Sequence, residues 1–535
     1  MSEQVVIVGF GPVAARLIDE LLPAVRSGLA HLTVIGEESD AAYNRVLVAD
    51  LGVGRTTAGA LALSDAAALV ADGVDVRLGV RVRRVDRARQ RVVLTDGTTP
   101  HYDRLVFATG SRPVIPNLTG LNPDPAHPVL PAGVTALRDL HDAAVLREAV
   151  AGGKRVVVLG GGVLGLETAL AAAEEGARVT VVHNGRHPLG RNIDRSGGGV
   201  LAASLRNCGV RVAGNARSTG VEHNAPDGGF SALLLEDGSA IDGDLLVLSC
   251  GVRPRTELAE GCGLSTATGI LVDHKLRAHH EPHIFAIGDC AEVRCPDPAC
   301  GECRTARGPS GLVGPGWRQA EWLAEYLTLL AEGTAICPGD SNDSAPGGGA
   351  VGAAASLPEL PMEKPGVIVL KARGTNLAVA GDVSADPWDE EVLSAGAVNG
   401  RARLQVAQWA DPEHGRYVKM TTRAGVLEGL VAVGMPRTAA ELVQLFERGA
   451  ELPADRSLLL RLDGPDQPAS HGAADASRTV CRCAGVSGTA VAAAVTEGCA
   501  TVPEVSAATR AGTGCGGCHE DIKGIIEAHF QGAVA

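Results

Sequence analysis

The chain has 535 residues, too many for one compact core. Its 48 Lys and Arg against 62 Asp and Glu give a net charge of −14, and without a basic tract this excludes nucleic acid or an anionic membrane surface as the main partner. The 69 Gly far outnumber the 6 Phe, 4 Trp and 4 Tyr and, lacking a collagen period, mark tight turns and close backbone approaches. No run of about 18 apolar residues is present to cross a membrane. The opening Ser2-Glu3-Gln4 is no secretory leader, so the 13 Cys are expected in the cytoplasm as metal or redox ligands.

In chain order, Gln4 to Gly9 is a β-branched run suited to a strand buried on both faces. Gly9-Phe10-Gly11-Pro12-Val13-Ala14 follows, then a helical pattern from Ala15 to Leu22, then a strand from Leu32 to Ile35 that leads into Glu37. The same grammar returns about 150 residues later: strand Arg155 to Leu159, turn Gly160-Gly161-Gly162-Val163-Leu164-Gly165, an Ala-rich helix and strand Arg178 to Val182. Each copy has the order strand, Gly-rich turn, helix that a dinucleotide-binding unit requires. The first Gly makes the tight turn, and the second lets the backbone approach a pyrophosphate. The third position, Ala14 or Gly165, allows close helix–strand packing. Glu37 is placed to bind the ribose hydroxyls of an adenosine. The second copy has His183-Asn184 at that place with Arg186 nearby, which leaves open a 2′-phosphate or a plain ribose. Arg91 to Leu94 before Asp96-Gly97 predicts a small antiparallel sheet.

These units, together with Phe107 to Pro113 and Ile284 to Asp289, resemble the pyridine-nucleotide:disulfide-oxidoreductase-like flavoproteins. The resemblance implies FAD in the first unit, NAD(P)H in the second, Thr109-Gly110 at the crossover, and Gly288-Asp289 on the flavin's ribityl chain. It further implies Glu167 near the flavin–nicotinamide junction and Tyr43-Asn44-Arg45 beside the isoalloxazine, so Glu167 and Arg45 are the candidate catalytic residues. One departure is decisive. No Cys precedes Cys208 and none lies in the segment after Arg45, so nothing there can form a mixed disulfide or sulfenic acid, and electrons are expected to leave by another route.

That route is sought at the C-terminus. Cys481-Arg482-Cys483 and Cys515-Gly516-Gly517-Cys518 are separated by 31 residues and supply four thiolates, two per iron of a [2Fe–2S] cluster. Zinc is the competing ligand chemistry. The Gly-rich context of Cys515 resembles bacterioferritin-associated ferredoxin. An FAD body joined to this module resembles the reductase portion of assimilatory nitrate and nitrite reductases, as do Tyr43 to Leu47 and Val313 to Ala320. Only 17 residues follow Cys518, so no sirohaem half is expected within this chain. A separate terminal reductase, a molybdenum nitrate reductase or a sirohaem nitrite reductase, is the expected partner, and a homodimer is left open. An amino-acid or opine dehydrogenase subunit and a redox adaptor to bacterioferritin are the alternatives.

The expected architecture is α/β with two Rossmann-like domains, a small α+β domain and a small [2Fe–2S] module. Its expected parts are 1–118 and 251–333 for FAD, 119–250 for NAD(P)H, a linker at 334–357, an α+β domain at 358–462, a linker at 463–478 and the ferredoxin-like module at 479–535. Cys290, Cys295, Cys300 and Cys303 form a further group. The last three match part of a plant-type ferredoxin spacing, with Cys290 or Cys337 as a fourth ligand of a second metal site. Cys499 falls between the cluster pairs and is expected to be a small buried hydrophobe.

Overall fold

The computed structural model describes residues 2–121, 129–224, 228–301, 303, 308–333, 359–360, 366–372, 374–393, 402–463, 479–514 and 516–532. Two five-stranded parallel sheets carry the two repeats. In the first, the order is Ile284–Ala286, Arg104–Phe107, Glu3–Val8, Ala30–Ile35, Asp75–Arg77. In the second it is Val134–Thr135, Leu245–Leu248, Arg155–Leu159, Arg178–Val182, Arg211–Ala213. The continuous apolar runs follow from burial on both faces: Ile7, Leu105, Val106, Phe107, Val158 and Val181 are each fully excluded from solvent. Each such side chain stabilises the fold by about 1.5–3 kcal/mol relative to exposure.

The second sheet is inserted in the chain between strands Arg104–Phe107 and Ile284–Ala286 of the first. The two connecting segments run side by side as the antiparallel pair Ser111–Pro113 and Val252–Pro254. The hairpin expected at Arg91–Leu94 forms with Val82–Asp86.

A third sheet of five antiparallel strands follows, ordered Ile368–Ala372, Thr375–Gly381, Val426–Val433, Arg416–Arg423, Leu404–Asp411. Helix Pro436–Arg448 closes one face through Leu442, Val443 and Phe446. Asp463 is part of this body rather than of a linker, because its carboxylate accepts from the N–H groups of Arg437 and Thr438 at 3.0 and 2.8 Å. It therefore satisfies two open donors at the helix start. The Gly/Ser/Pro-rich stretches at 338–357 and 464–478 lie outside the described residues.

The last module pairs Thr479–Cys481 with Val486–Ser487 and packs helices Gly488–Thr496, Val502–Thr509 and His519–Gly532. Its small core is Cys481, Val491, Val495, Val505, Ala511, Cys518, Ile522 and Ile526, with Cys499 partly buried against it. Among the described residues no helix is long and apolar enough to cross a membrane.

Candidate functional site

Both Gly-rich turns are shaped by the neighbouring strand. Gly9 has φ +104, and a Cβ there would lie 2.3 Å from the Ala108 carbonyl oxygen; at Gly160, with φ +130, the clash would be 2.0 Å from that of Ser249. No other residue fits such an approach. A Cβ on Gly11 or Gly162 would meet nothing within 4 Å. The strand end is thus tight below each turn and open above the helix N-terminus, which is the space a pyrophosphate needs. The third positions pack as expected: Ala14 is 1% exposed, and a Cβ on Gly165 would lie 2.6 Å from the Gly160 oxygen.

A cavity of about 3100 Å³ runs from the first turn across the molecule. It is several times larger than a pocket for one small ligand. Gly9, Gly11, Glu37, Arg45, Thr109, Gly110, Glu167, Gly288 and Asp289 all line it. Glu37 pairs with Arg81, whose Nε donates at 2.9 Å, and with Arg255 at 3.3 Å. Thr109 donates to the Arg255 carbonyl at 2.9 Å. The Gly288 N–H donates to Gln319 at 2.7 Å, which orients the turn carrying Asp289.

Two participants were not named as site residues from the sequence, although Ser111 lies in the Phe107-to-Pro113 segment. Ser111 donates to Asp289 at 2.7 Å, and Arg138 donates to the same hydroxyl at 2.8 Å while lying 3.5 Å from the Asp289 carboxylate. Arg138 belongs to no motif, and only the fold brings it there. Arg45 is held by the Glu38 carboxylate and lies over the Tyr43 ring at 4.7 Å, while Tyr43 donates to Glu38 at 2.7 Å. Burial opposes charge on Glu38, yet Arg45, helped by Tyr43 and Arg255, outweighs it and holds the carboxyl below its ordinary pKa.

In the second unit His183 is 6% exposed and lies beneath the turn, its Cβ 3.1 Å from where a Gly161 Cβ would stand. Burial, then His187, lowers its pKa, which favours the neutral ring. Asn184 and Arg186 remain exposed.

The same cavity is also lined by Cys481, Cys483 and Cys518. Among its described lining residues these are the only cysteines. Cys481 and Cys518 are buried, and the Cys481 and Cys483 sulfurs are 3.6 Å apart. The Cys481 thiol lies far below its ordinary pKa because Cys483, then Cys518, hydrogen-bond to it. The Gly512 N–H donates to the same sulfur at 3.4 Å. Gly514 is required by contact, since a Cβ would fall 2.3 Å from the Cys483 sulfur. Thiolate-forming cysteines, backbone donors and glycine-lined space fit an iron–sulfur cluster. The fourth expected ligand, Cys515, lies outside the described residues.

The cluster loop is fastened to the flavoprotein body. Asn44 donates to the carbonyls of Thr513 and Gly514, both at 2.6 Å. Arg510 pairs with Asp19 at 3.3 Å and Glu20 at 3.5 Å. Trp317 donates to the Pro12 carbonyl at 3.2 Å, and its ring lies 3.5 Å from where a Gly514 Cβ would stand. Tyr43 to Leu47 and Val313 to Ala320, far apart in sequence, thus meet at the cluster loop.

Residues 3–309 match the model of the pyridine nucleotide-disulphide oxidoreductase family. The chain belongs to that family. It is an NAD(P)H-dependent flavoprotein oxidoreductase, and residues 479–528 match the BFD-like [2Fe–2S] binding domain, so its cofactors are FAD, NAD(P)H and a [2Fe–2S] cluster. This family member is 27% identical over 530 residues to "Nitrite reductase [NAD(P)H]" of Bacillus subtilis, covering 98% of this chain and 58% of that protein. It is 25% identical to that organism's "Assimilatory nitrate reductase electron transfer subunit", covering 98% of this chain and 59% of the other. The chain spans about half the length of the curated relatives it matches. Among solved structures, the putidaredoxin reductase–putidaredoxin complex aligns with a TM-score of 0.65 at 23% identity, over 85% of this chain and 95% of that one; this likeness concerns the fold.

Proposed function

We propose that the chain draws electrons from NAD(P)H and delivers them to a separate terminal reductase of nitrate or nitrite. The observation that carries this reading is the shared cavity: both the first dinucleotide turn and the cluster cysteines open into it, and no other cysteine among its described lining residues offers a competing outlet. FAD held by the first unit would supply hydride acceptance from the nicotinamide and one-electron release toward the cluster.

In this reading 1–118 and 251–333 hold FAD, 119–250 hold NAD(P)H, 358–463 form an α+β domain and 479–535 hold the cluster, with linkers at 334–357 and 464–478. Gly9, Gly11 and Ala14 seat the FAD pyrophosphate, Glu37 the adenosine ribose, and Thr109, Gly110, Gly288 and Asp289 the remainder. Ser111 and Arg138 keep the Asp289 carboxylate in place. Gly160, Gly162 and Gly165 seat the nicotinamide dinucleotide. Arg186 is the cation exposed to a 2′-phosphate, and His183 shapes the turn from below. Glu167 and Arg45, which both line the cavity, border the flavin–nicotinamide junction and help keep the two rings in contact distance. Cys481, Cys483, Cys515 and Cys518 hold the cluster.

The partner is a molybdenum nitrate reductase or a sirohaem nitrite reductase. Relatives running the length of the chain carry names from nitrite and nitrate reduction, which favours this acceptor over an amino-acid dehydrogenase or a bacterioferritin. Anaerobic stopped-flow mixing with NADH and NADPH tests the input. Bleaching of the visible flavin band followed by cluster reduction is expected, and no bleaching by either nucleotide overturns the proposal. Co-purification of the native acceptor tests the output.

A further inference from the structure

The cysteine-rich segment after Asp289 plays no part in that reaction. Strand Ile270–Val272 pairs in parallel with Ala291–Val293, Val272 opposite Val293, and the Arg294 N–H extends the pairing to the Val272 carbonyl at 2.8 Å. Just past the paired ends stand His274 and Cys295. A turn then brings the chain back, with Ala299 N–H donating to the Asp297 carboxylate at 2.8 Å and Cys300 N–H to the Asp297 carbonyl at 3.2 Å. Cys300 and Cys303 thereby face the same ring. Their sulfurs lie 3.5 and 3.4 Å from His274 Nε2, and the Cys303 and Cys295 sulfurs are 3.5 Å apart. The four candidate ligand atoms all lie within 4.8 Å of one another. His274 is buried and the three cysteines are partly buried.

Cys290 is not part of this group. It is fully buried, its thiol donates to the Ile287 and Phe107 carbonyls at 3.2 and 3.4 Å, and burial raises its pKa. Cys337 lies outside the described residues. The fourth position belongs to a histidine 21 residues upstream of Cys295, a spacing no ferredoxin pattern suggests.

We propose that His274, Cys295, Cys300 and Cys303 bind one zinc ion as a structural site. A tetrahedral ion with zinc–sulfur bonds of about 2.3 Å places its sulfurs about 3.8 Å apart, close to the spacing found. A two-iron cluster would divide its ligands between two metals, and a group confined within 4.8 Å leaves no room for the second. The Cys295 N–H points at the Cys303 sulfur at 3.1 Å, the backbone donation that supports a metal-bound thiolate. Residues 294–311 contain no Val, Leu, Ile, Met or aromatic residue, so they have no hydrophobic core of their own. Metal binding, with release of three thiol protons, supplies that folding free energy. The clamp would fix the segment that enters helix Val313–Ala331, whose first turn lines the cavity beside Cys483.

The test uses the full-length holoprotein purified without chelator, with zinc and iron counted per chain. About one zinc and two irons are expected in the unaltered protein, with zinc X-ray absorption showing three sulfurs at about 2.3 Å and one nitrogen at about 2.0 Å. The double variant C300S/C303S is expected to lose at least about nine-tenths of the zinc and keep its irons, whereas C481S is expected to keep the zinc and lose iron. Four outcomes overturn the proposal: no zinc in the unaltered protein, zinc that survives C300S/C303S, iron lost with that variant instead, or a Cys295–Cys303 disulfide found by mass spectrometry. The absorption spectrum of the unaltered protein decides the matter if the variant does not fold.

Discussion

The two cysteine groups differ in what surrounds them rather than in their ligand atoms. Cys481, Cys483 and Cys518 open into the large cavity, beside glycines that bring backbone against sulfur, and their loop is tied to the body by Asn44 and Arg510. Cys295, Cys300 and Cys303 do not line that cavity; they gather around a buried histidine at the end of two paired strands. Thiolates facing a shared cavity suit electron transfer, and thiolates closing a loop suit folding. The number of cysteines tells neither role.

The largest expected effect comes from removing a ligand of the first group. C481S or C518S should leave flavin reduction by NAD(P)H within about 2-fold while lowering reduction of a one-electron protein acceptor by at least about 100-fold; paired stopped-flow and steady-state assays check this. Equal loss in both steps would erase the distinction drawn above. Next, G514A places a methyl against the Cys483 sulfur. Its overpacking cost of about 1–3 kcal/mol should appear as fewer irons per chain with FAD content unchanged.

The fastening of the loop offers a finer probe. N44A removes the two hydrogen bonds to the cluster loop together with the local one from the Val46 N–H and should weaken docking by about 1–3 kcal/mol. Stopped-flow should show slower flavin-to-cluster transfer, and hydrogen exchange should rise around 510–514. The smallest effect concerns Asp19, which contacts Arg510 and whose pKa is raised to about 6, chiefly by burial, with Arg16 opposing. Because the folded pKa lies above the unfolded one, the folded state binds more protons between about pH 4 and 6. Stability should therefore fall as pH rises through that window, by about 1 kcal/mol after screening of this partly exposed group. Urea midpoints measured across the window should show the slope, and D19N should flatten it.

Much of the dinucleotide framework is legible in the order of residues along the chain. Strands Arg155–Leu159 and Arg178–Val182 occupy the expected residues, because a strand buried on both faces must be apolar throughout and a Gly-rich turn must follow it. Gly9 and Gly160 are readable for the same reason: a backbone contact that excludes every Cβ leaves glycine as its trace. The absence of Cys before 208 likewise removes a redox cysteine from the segment after Arg45. His183 is less legible, since its place at the end of a strand does not reveal that the ring turns beneath Gly161.

The sequence by itself determined the two nucleotide units, the cluster spacing and the acidic balance, because each is a local pattern of one side-chain property along the chain. Only the tertiary structure decided that Asn44 grips the cluster loop, that Arg138 braces Asp289, and that His274 rather than Cys290 completes the group of three cysteines. Those contacts join residues between 21 and 470 positions apart. Chain order carries no record of such proximity; strand register and the packing of separate sheets create it.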